Sequence, residues 1–274
     1  MTARRLGWLL ALPATLAVAV LLGVPVGDTF STTFGGESLF AQYEAFFGSR
    51  FRRAVLIRTT EIALVTTILS LLIGFVTAWV VSRAPGRWKS VLIIAAVFPL
   101  LTGVVVRSFA WLVILGREGI VNETLLAVGL TSEPVTLLYT KGAVIVAMVY
   151  LFVPLMILTI VGVLEGIDED YLDAAASLGA TPFARFWQVV FPLAVPGLIV
   201  GAVLVFTGSF TSYATPQLLG GEQQMMMGTF LYQRAMVTFD WVGASTIAAI
   251  MTVVTVSIVW AMSRVARRLN PAAT

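Results

Sequence analysis

Residues 165–197 read EGIDEDYLDAAASLGATPFARFWQVVFPLAVPG, and five of the 14 acidic residues of the chain (Glu165, Asp168, Glu169, Asp170 and Asp173) fall within nine positions of it. Asp168 suits an N-cap, and the acids after it occupy the first helical turn, where the helix dipole favours negative charge. Good helix formers continue to Leu178, and Gly179 suits the left-handed position just past a helix end. Thr181 then caps a second helix with Pro182 at its first position. This spacing predicts two short helices. The second carries Phe183, Phe186 and Trp187 along a membrane surface until Pro192 opens a long apolar run. On the first, Tyr171, Leu172, Ala175 and Leu178 share one face at i, i+3/i+4, i+7 spacing, and Ala174–Ala176 leave room for close approach by another protein. A helix that packs on its own bundle or lies on lipid headgroups has the same composition, so this pattern alone leaves both readings open.

Outward from this loop the chain is strongly apolar. Of its 274 residues 59% are hydrophobic and 11% charged, against about 25% charged in a soluble domain. A charge at the bilayer centre costs roughly 2.5–3.5 kcal/mol even on the lenient insertion scale. The gaps between charges therefore measure the spans. They predict six transmembrane helices, at about 6–27, 58–82, 90–115, 142–164, 193–213 and 241–263. An outer loop is expected at 28–57 and the acidic loop at 165–192, within a single all-α transmembrane domain over 1–274. The first stretch follows Arg4 and Arg5 and could be a signal peptide. Its apolar run exceeds the 7–15 residues of a signal core, which favours a retained span.

With the N-terminus inside, nine basic residues are cytoplasmic (Arg4, Arg5, Arg83, Arg87, Lys89, Arg185, Arg264, Arg267, Arg268) and seven lie outside (Arg50, Arg52, Arg53, Arg58, Arg117, Lys141, Arg234). The positive-inside margin is narrow. Phe40, Tyr43, Phe46 and Phe47 beside the outer cluster predict an amphipathic segment on the outer surface. Arg107 falls inside the third apolar stretch, about 26 Å along it at 1.5 Å per residue, where it can snorkel or bond a carbonyl. Gly197 and Gly201 form a Gly-x-x-x-Gly pair in the fifth span, with Gly208 two turns on, which permits close helix packing.

The reactive inventory is short. There is no Cys and no His, which removes thiol nucleophiles, disulfides, imidazole acid–base chemistry and most transition-metal sites. The only lysines are Lys89 and Lys141, and no GxxxxGK[ST] occurs, so no phosphate-binding loop is present. No acid lies within the charge-free runs to carry protons or sodium, and the two halves show no visible repeat, which disfavours a secondary transporter. The 17 basic residues are scattered, so nucleic acid is not an expected partner.

Asp173-Ala174-Ala175, three residues, Gly179, nine residues and Val189-Val190-Phe191-Pro192 resemble the EAA loop of membrane subunits of bacterial ABC importers. The family pattern there is Glu-Ala-Ala, three residues, Gly, nine residues, Ile-x-Leu-Pro. Asp173 departs from the family Glu but keeps its charge. In that family the loop is a coupling helix seated in a cleft of a cytoplasmic ATPase. The resemblance implies that Asp173, Ala174, Ala175, Leu178, Gly179 and Ala180 face that ATPase, and that both termini are cytoplasmic, in a bacterial inner membrane. It further implies two ATPase copies, a second homologous permease subunit and an external solute-binding protein. ATP and Mg would be used by the partner ATPase, with no cofactor bound by this chain, which would be no enzyme itself.

Three further segments, 98–122 (FPLLTGVVVRSFAWLVILGREGIVN), 149–158 (VYLFVPLMIL) and 208–221 (GSFTSYATPQLLGG), resemble the spermidine/putrescine-type subgroup. The resemblance implies a polyamine cargo and a paralogous second permease; opines or amino-acid-like solutes are the alternative. Glu61, just before the charge-free part of the second span, could meet an entering ammonium, and Trp111, Tyr150, Phe210 and Tyr213 could offer cation–π faces along a path. An acid at a span end and aromatic residues in an interfacial belt read equally as anchors.

Overall fold

Apolar runs this long satisfy their backbone polar groups internally only as helices when they cross lipid. The computed structural model describes residues 3–34 and 40–269, and every regular element among them is helical. The elements are α1 (Ala3–Ser31), α2 (Ala41–Gly48), α3 (Arg50–Ser82), α4 (Gly86–Leu101), α5 (Val104–Ile114), α6 (Ile120–Ala127) and α7 (Lys141–Glu165). Then come α8 (Glu169–Ser177), α9 (Pro182–Arg185), a π-helical turn at Phe186–Val190, and α10 (Phe191–Phe210). The chain closes with α11 (Ala214–Gly220), α12 (Met227–Tyr232), a second π turn at Gln233–Val237, and α13 (Trp241–Leu269).

Four helices among the described residues are long and apolar enough to cross a membrane: Arg50–Ser82, Lys141–Glu165, Pro182–Phe210 and Trp241–Val265. The pair α4 and α5 makes a fifth if counted as one span, although it bends by 94°. Of the expected six spans, four or five are thus present among the described residues. The apolar part of α1 that is fully described, Thr15–Ser31, is shorter than the other spans. The expected first span at 6–27 lies partly outside the residues whose side chains are described, as does part of the 28–57 loop.

Two boundaries differ from expectation for identifiable reasons. The expected third span, 90–115, is broken because Pro99 contributes no N–H to the ladder and Thr102–Gly103 adopt extended backbone (ψ 135° and 144°). The expected surface helix before the fifth span is instead its beginning, because Pro182–Phe210 is one continuous helix. The Phe191 N–H reaches back to the Phe186 carbonyl. That five-residue turn widens the helix just ahead of Pro192, whose ring would crowd a tight α turn.

The chain forms two compact units, Met1–Ala54 with Phe230–Val253, and Val55–Thr229 with Val254–Thr274. In the first, Phe46 is buried, the Tyr43 and Thr33 hydroxyls share a hydrogen bond of 2.7 Å, and Phe34, Phe40 and Tyr43 form a ring cluster. Phe40 and Phe47 are exposed. The expected surface segment is therefore a short helix that keeps only part of its aromatic face outward.

The second unit is centred on α7 and α10, and its core includes Met156, Ile157, Ile160 and Val161 of α7 with Ala194, Leu198, Ala202 and Val205 of α10. Glycine sets the approach. A Cβ on Gly197 would lie 2.5 Å from Val163 Cγ2, one on Gly201 2.5 Å from Met156 Sδ, and one on Gly208 2.5 Å from Phe152 Cε1. Met156 also fills the space over Gly74 of α3, where a Cβ would lie 2.6 Å from its Cγ. The Gly-x-x-x-Gly face thus has α7 as its partner, and the packing needs no side chain on either glycine.

Gly197→Ala is expected to destabilise the second unit by about 1–3 kcal/mol through overpacking against stiff, β-branched Val163. Val163→Ala in the same chain should recover most of that loss. Thermal unfolding in detergent of the two single variants and the double variant checks this; additive losses would contradict the contact.

Candidate functional site

The α8 segment is built by its caps. The Asp168 carboxylate accepts the Asp170 N–H at 3.1 Å, and Glu169 and Asp170 fill the first turn. At the other end the Gly179 N–H donates to the Ala176 carbonyl at 2.9 Å and the Ala180 N–H to the Ala175 carbonyl at 3.0 Å. This paired closure needs a left-handed residue, and Gly179 has φ +83°. Thr181 then accepts the Ala184 N–H at 3.2 Å, with Pro182 following. Where α7 enters the loop, Glu165 forms an ion pair with Lys89 of α4 at 2.8 Å.

The faces of α8 differ from the expected set. Leu172 is half-buried against the α3–α7–α10 core, together with Ile167. It turns away from Tyr171 because neighbours in a helix lie about 100° apart. The outward set is Tyr171, Ala174 and Leu178 at i, i+3, i+7. Leu178 is 89% exposed, the extreme among the large hydrophobic residues described. Gly179 is exposed beside it, whereas Ala175 and Ala180 are half-buried. Asp173 lies on the other side and lines a cavity of about 280 Å³ with Trp79, Arg83, Glu169 and Arg185. Of the six residues expected to face a partner, Asp173, Ala174, Leu178 and Gly179 are therefore exposed, and Ala175 and Ala180 are half-buried.

The five expected path residues are not gathered in one place. Trp111 of α5 and Tyr150 of α7 do meet, with ring centroids 5.6 Å apart at 78°. Both line a predominantly apolar groove of about 550 Å³, with Ile73, Thr77, Pro99 and Pro154 among its walls. Glu61 is instead ion-paired with Lys141 at 2.6 Å. Tyr213 sits at the start of α11, half-buried. Phe210 is a correction: it is fully buried and stacked on Phe206, with centroids 5.5 Å apart at 25°. Its ring is a core element of α10 and offers no open face to a solute.

Arg107 ties the bend between α4 and α5, the helix that carries Trp111. Arg107 is 6% exposed and its Nη1 donates to the Pro99 carbonyl at 2.9 Å and the Thr102 carbonyl at 3.3 Å. The break between α4 and α5 frees carbonyls that the helix no longer uses, and the cation satisfies them. The sequence signal for this was a lone Arg eight residues after a Pro. Two residues were missed as more than topology markers, namely Arg83 and Arg185 around the α8 cavity. They stand far apart in sequence, so only the fold brings them together. Among the described residues, no group of three or more Asp, Glu, His or Cys is arranged to hold a metal ion.

The family described as "Binding-protein-dependent transport system inner membrane component" matches residues 89–271. The chain is 32% identical over 206 residues to the spermidine/putrescine transport system permease protein PotB of Haemophilus influenzae, covering 75% of this chain and 72% of that protein. It is 27% identical to the PotB protein of Escherichia coli, covering 79% of this chain and 78% of that protein. Among solved structures it resembles a chain of a bacterial alginate ABC transporter in complex with an alginate-bound periplasmic protein, with a TM-score of 0.79 and 16% identity, over 96% of this chain and 94% of that one. A chain of the MetNI methionine ABC transporter matches with a TM-score of 0.58 and 19% identity, over 81% of this chain and 99% of that one. At those identities the likeness is one of fold.

Arg107→Ala is expected to lower stability by about 1.5–3 kcal/mol through loss of charged hydrogen bonds to buried carbonyls. In a background that keeps Trp111 as the only tryptophan, its quenching by acrylamide should rise in the same variant. A variant with unchanged melting and unchanged quenching would contradict the role of Arg107 in holding the bend.

Proposed function

Because the chain belongs to the family of binding-protein-dependent transport system inner membrane components, we propose how this multi-pass permease subunit of an ABC importer is powered and what it carries. It is a transport subunit and not an enzyme. The α8 segment docks in a cleft of a cytoplasmic ATPase, which places both termini in the cytoplasm. Two ATPase copies bind and hydrolyse ATP with Mg, and this chain holds no cofactor. A second, homologous permease subunit completes the path, and an external solute-binding protein delivers the cargo.

The observation that carries the docking is the exposed apolar tip of Tyr171, Ala174 and Leu178, closed by the left-handed Gly179. An apolar side chain as exposed as Leu178 gains when a partner covers it, at about 25 cal/mol per Å² removed from water. A displacement of α8 has a mechanical route to the path. Ile167 and Leu172 anchor it on the core, and α9 runs without interruption into α10. Closing of the two ATPases would draw the paired α8 helices together and tilt α10 against α7, exposing the path to alternate sides.

The cargo proposed is a polyamine, on the strength of the PotB relatives. The Trp111 and Tyr150 rings can offer cation–π faces to an alkylammonium, and the apolar groove beside them suits the methylene chain of such a solute.

Gly179→Val places a β-branched residue at φ +83°, a strain of roughly 1–2 kcal/mol, and breaks the closure of α8. It should abolish the stimulation of ATPase activity by loaded binding protein while leaving membrane insertion intact. Unchanged solute uptake in this variant would overturn the docking. For cargo, the cognate binding protein is expected to retain labelled spermidine or putrescine and, when loaded, to stimulate ATPase activity of the reconstituted complex. A binding protein that retains neither would overturn the polyamine reading.

A further inference from the structure

The cleft between α8, the end of α3 and α9 is lined by four ionisable side chains, exposed Arg83, Glu169 and Asp173 and half-buried Arg185. Its formal charge is balanced, yet the four do not pair with one another. The ion pairs among the described residues are Lys89–Glu165, Lys141–Glu61 and Arg234–Asp240. Arg185 Nε is shielded from solvent and has no hydrogen-bond partner, an arrangement that is costly for a charged donor. Arg83 lies over the Trp79 ring at 3.6 Å. One guanidinium face is thereby covered, and its edge of N–H donors stays available for a bidentate acceptor. Trp79 is itself fixed edge-on against Phe186, with centroids 5.0 Å apart at 90°.

The position of this cleft at a span end narrows the ligand. Arg83 directly follows Ser82, the last residue of the long apolar helix α3, and exposed Phe183 and Trp187 stand beside the cavity on the α9–α10 helix. Aromatic residues at a span end mark the headgroup level of a bilayer, and basic pockets between spans at that level take lipid headgroups. Two carboxylates in the same pocket disfavour a purely anionic ligand, since each would repel it at close range. A ligand carrying both signs meets every group. The volume of about 280 Å³ corresponds to roughly nine water volumes at ~30 Å³ each, enough for a phosphate joined to an ethanolammonium.

We propose that this cavity is a binding site for a zwitterionic phosphoethanolamine group, with the phosphate held by Arg83 and Arg185 and the ammonium by Glu169 and Asp173. A phosphatidylethanolamine headgroup and free phosphoethanolamine share that chemistry. The site sits at the root of α8, so its occupancy fastens α8 to α3 and α9 without touching the exposed Leu178 tip.

Native mass spectrometry of the full chain in detergent tests the site, with phosphatidylethanolamine, phosphatidylglycerol and free phosphoethanolamine as probes. The wild-type chain should retain one phosphatidylethanolamine, preferred over phosphatidylglycerol by about tenfold. Arg83→Gln with Arg185→Gln should remove that adduct, and Glu169→Gln with Asp173→Asn should erase the preference between the two lipids. Arg87→Gln, outside the cavity, should change neither, and size-exclusion elution with circular dichroism shows whether each variant remains folded. A chain that takes free phosphoethanolamine but no lipid keeps the ligand chemistry and assigns it to a soluble source. Adducts unchanged in folded double variants, or equal retention of both lipids by wild type, would overturn the proposal. So would loss of ATPase binding, without any loss of lipid, in the Arg83 and Arg185 variant, which would make the cavity a protein interface.

Discussion

The contact on which the second unit depends is the bare-glycine approach of α10 to α7. Val163, Met156 and Phe152 occupy the space that side chains at Gly197, Gly201 and Gly208 would take. In lipid the hydrophobic effect does not drive helices together, so van der Waals contact at short range has to do so. Met156 extends that contact to α3 by covering Gly74. The resulting triad of α3, α7 and α10 gives Leu172 and Ile167 a surface to pack on. Without that surface α8 would be a tethered peptide, and a push on it would move nothing else.

Much of the α8 region was legible because its signals are local. Asp168, Gly179, Thr181 and Pro182 each act on backbone groups within a few residues, so caps and turn could be placed from the letters alone. The apolar cores of the long spans were legible for a similar reason, since charge is expensive in lipid wherever the chain puts it. What stayed hidden depends on longer range. Pro192 reads as a helix start, yet the widened turn at Phe186–Val190 carries the helix through it. The 94° break after Leu101 leaves the Pro99 and Thr102 carbonyls to be satisfied by Arg107, eight and five residues further on.

Side-chain direction was the other blind spot. Leu172 and Leu178 are equally apolar, and periodicity could assign both to one face, but only the packing of α3 and α10 shows which is covered. Phe210 and Tyr150 are both aromatic residues of long spans, and burial alone separates a core stack from a groove wall. Arg83 and Arg185, counted first for their sign, come together around Asp173 once α8 folds back on the bundle. A scarce charge in such a chain is thus either a topology marker or part of a site, and its neighbours in space decide which.

The chain has no cysteine, so a single Cys at Leu178 would be its only thiol. Its rate of modification by a polar maleimide, measured with and without the cognate ATPase, tests most directly whether α8 is the docking element. Rapid labelling of the isolated chain and strong protection on assembly are expected, with a Cys at exposed Ile120 labelled equally in both states. Equal labelling of Leu178→Cys with and without the bound ATPase would contradict it.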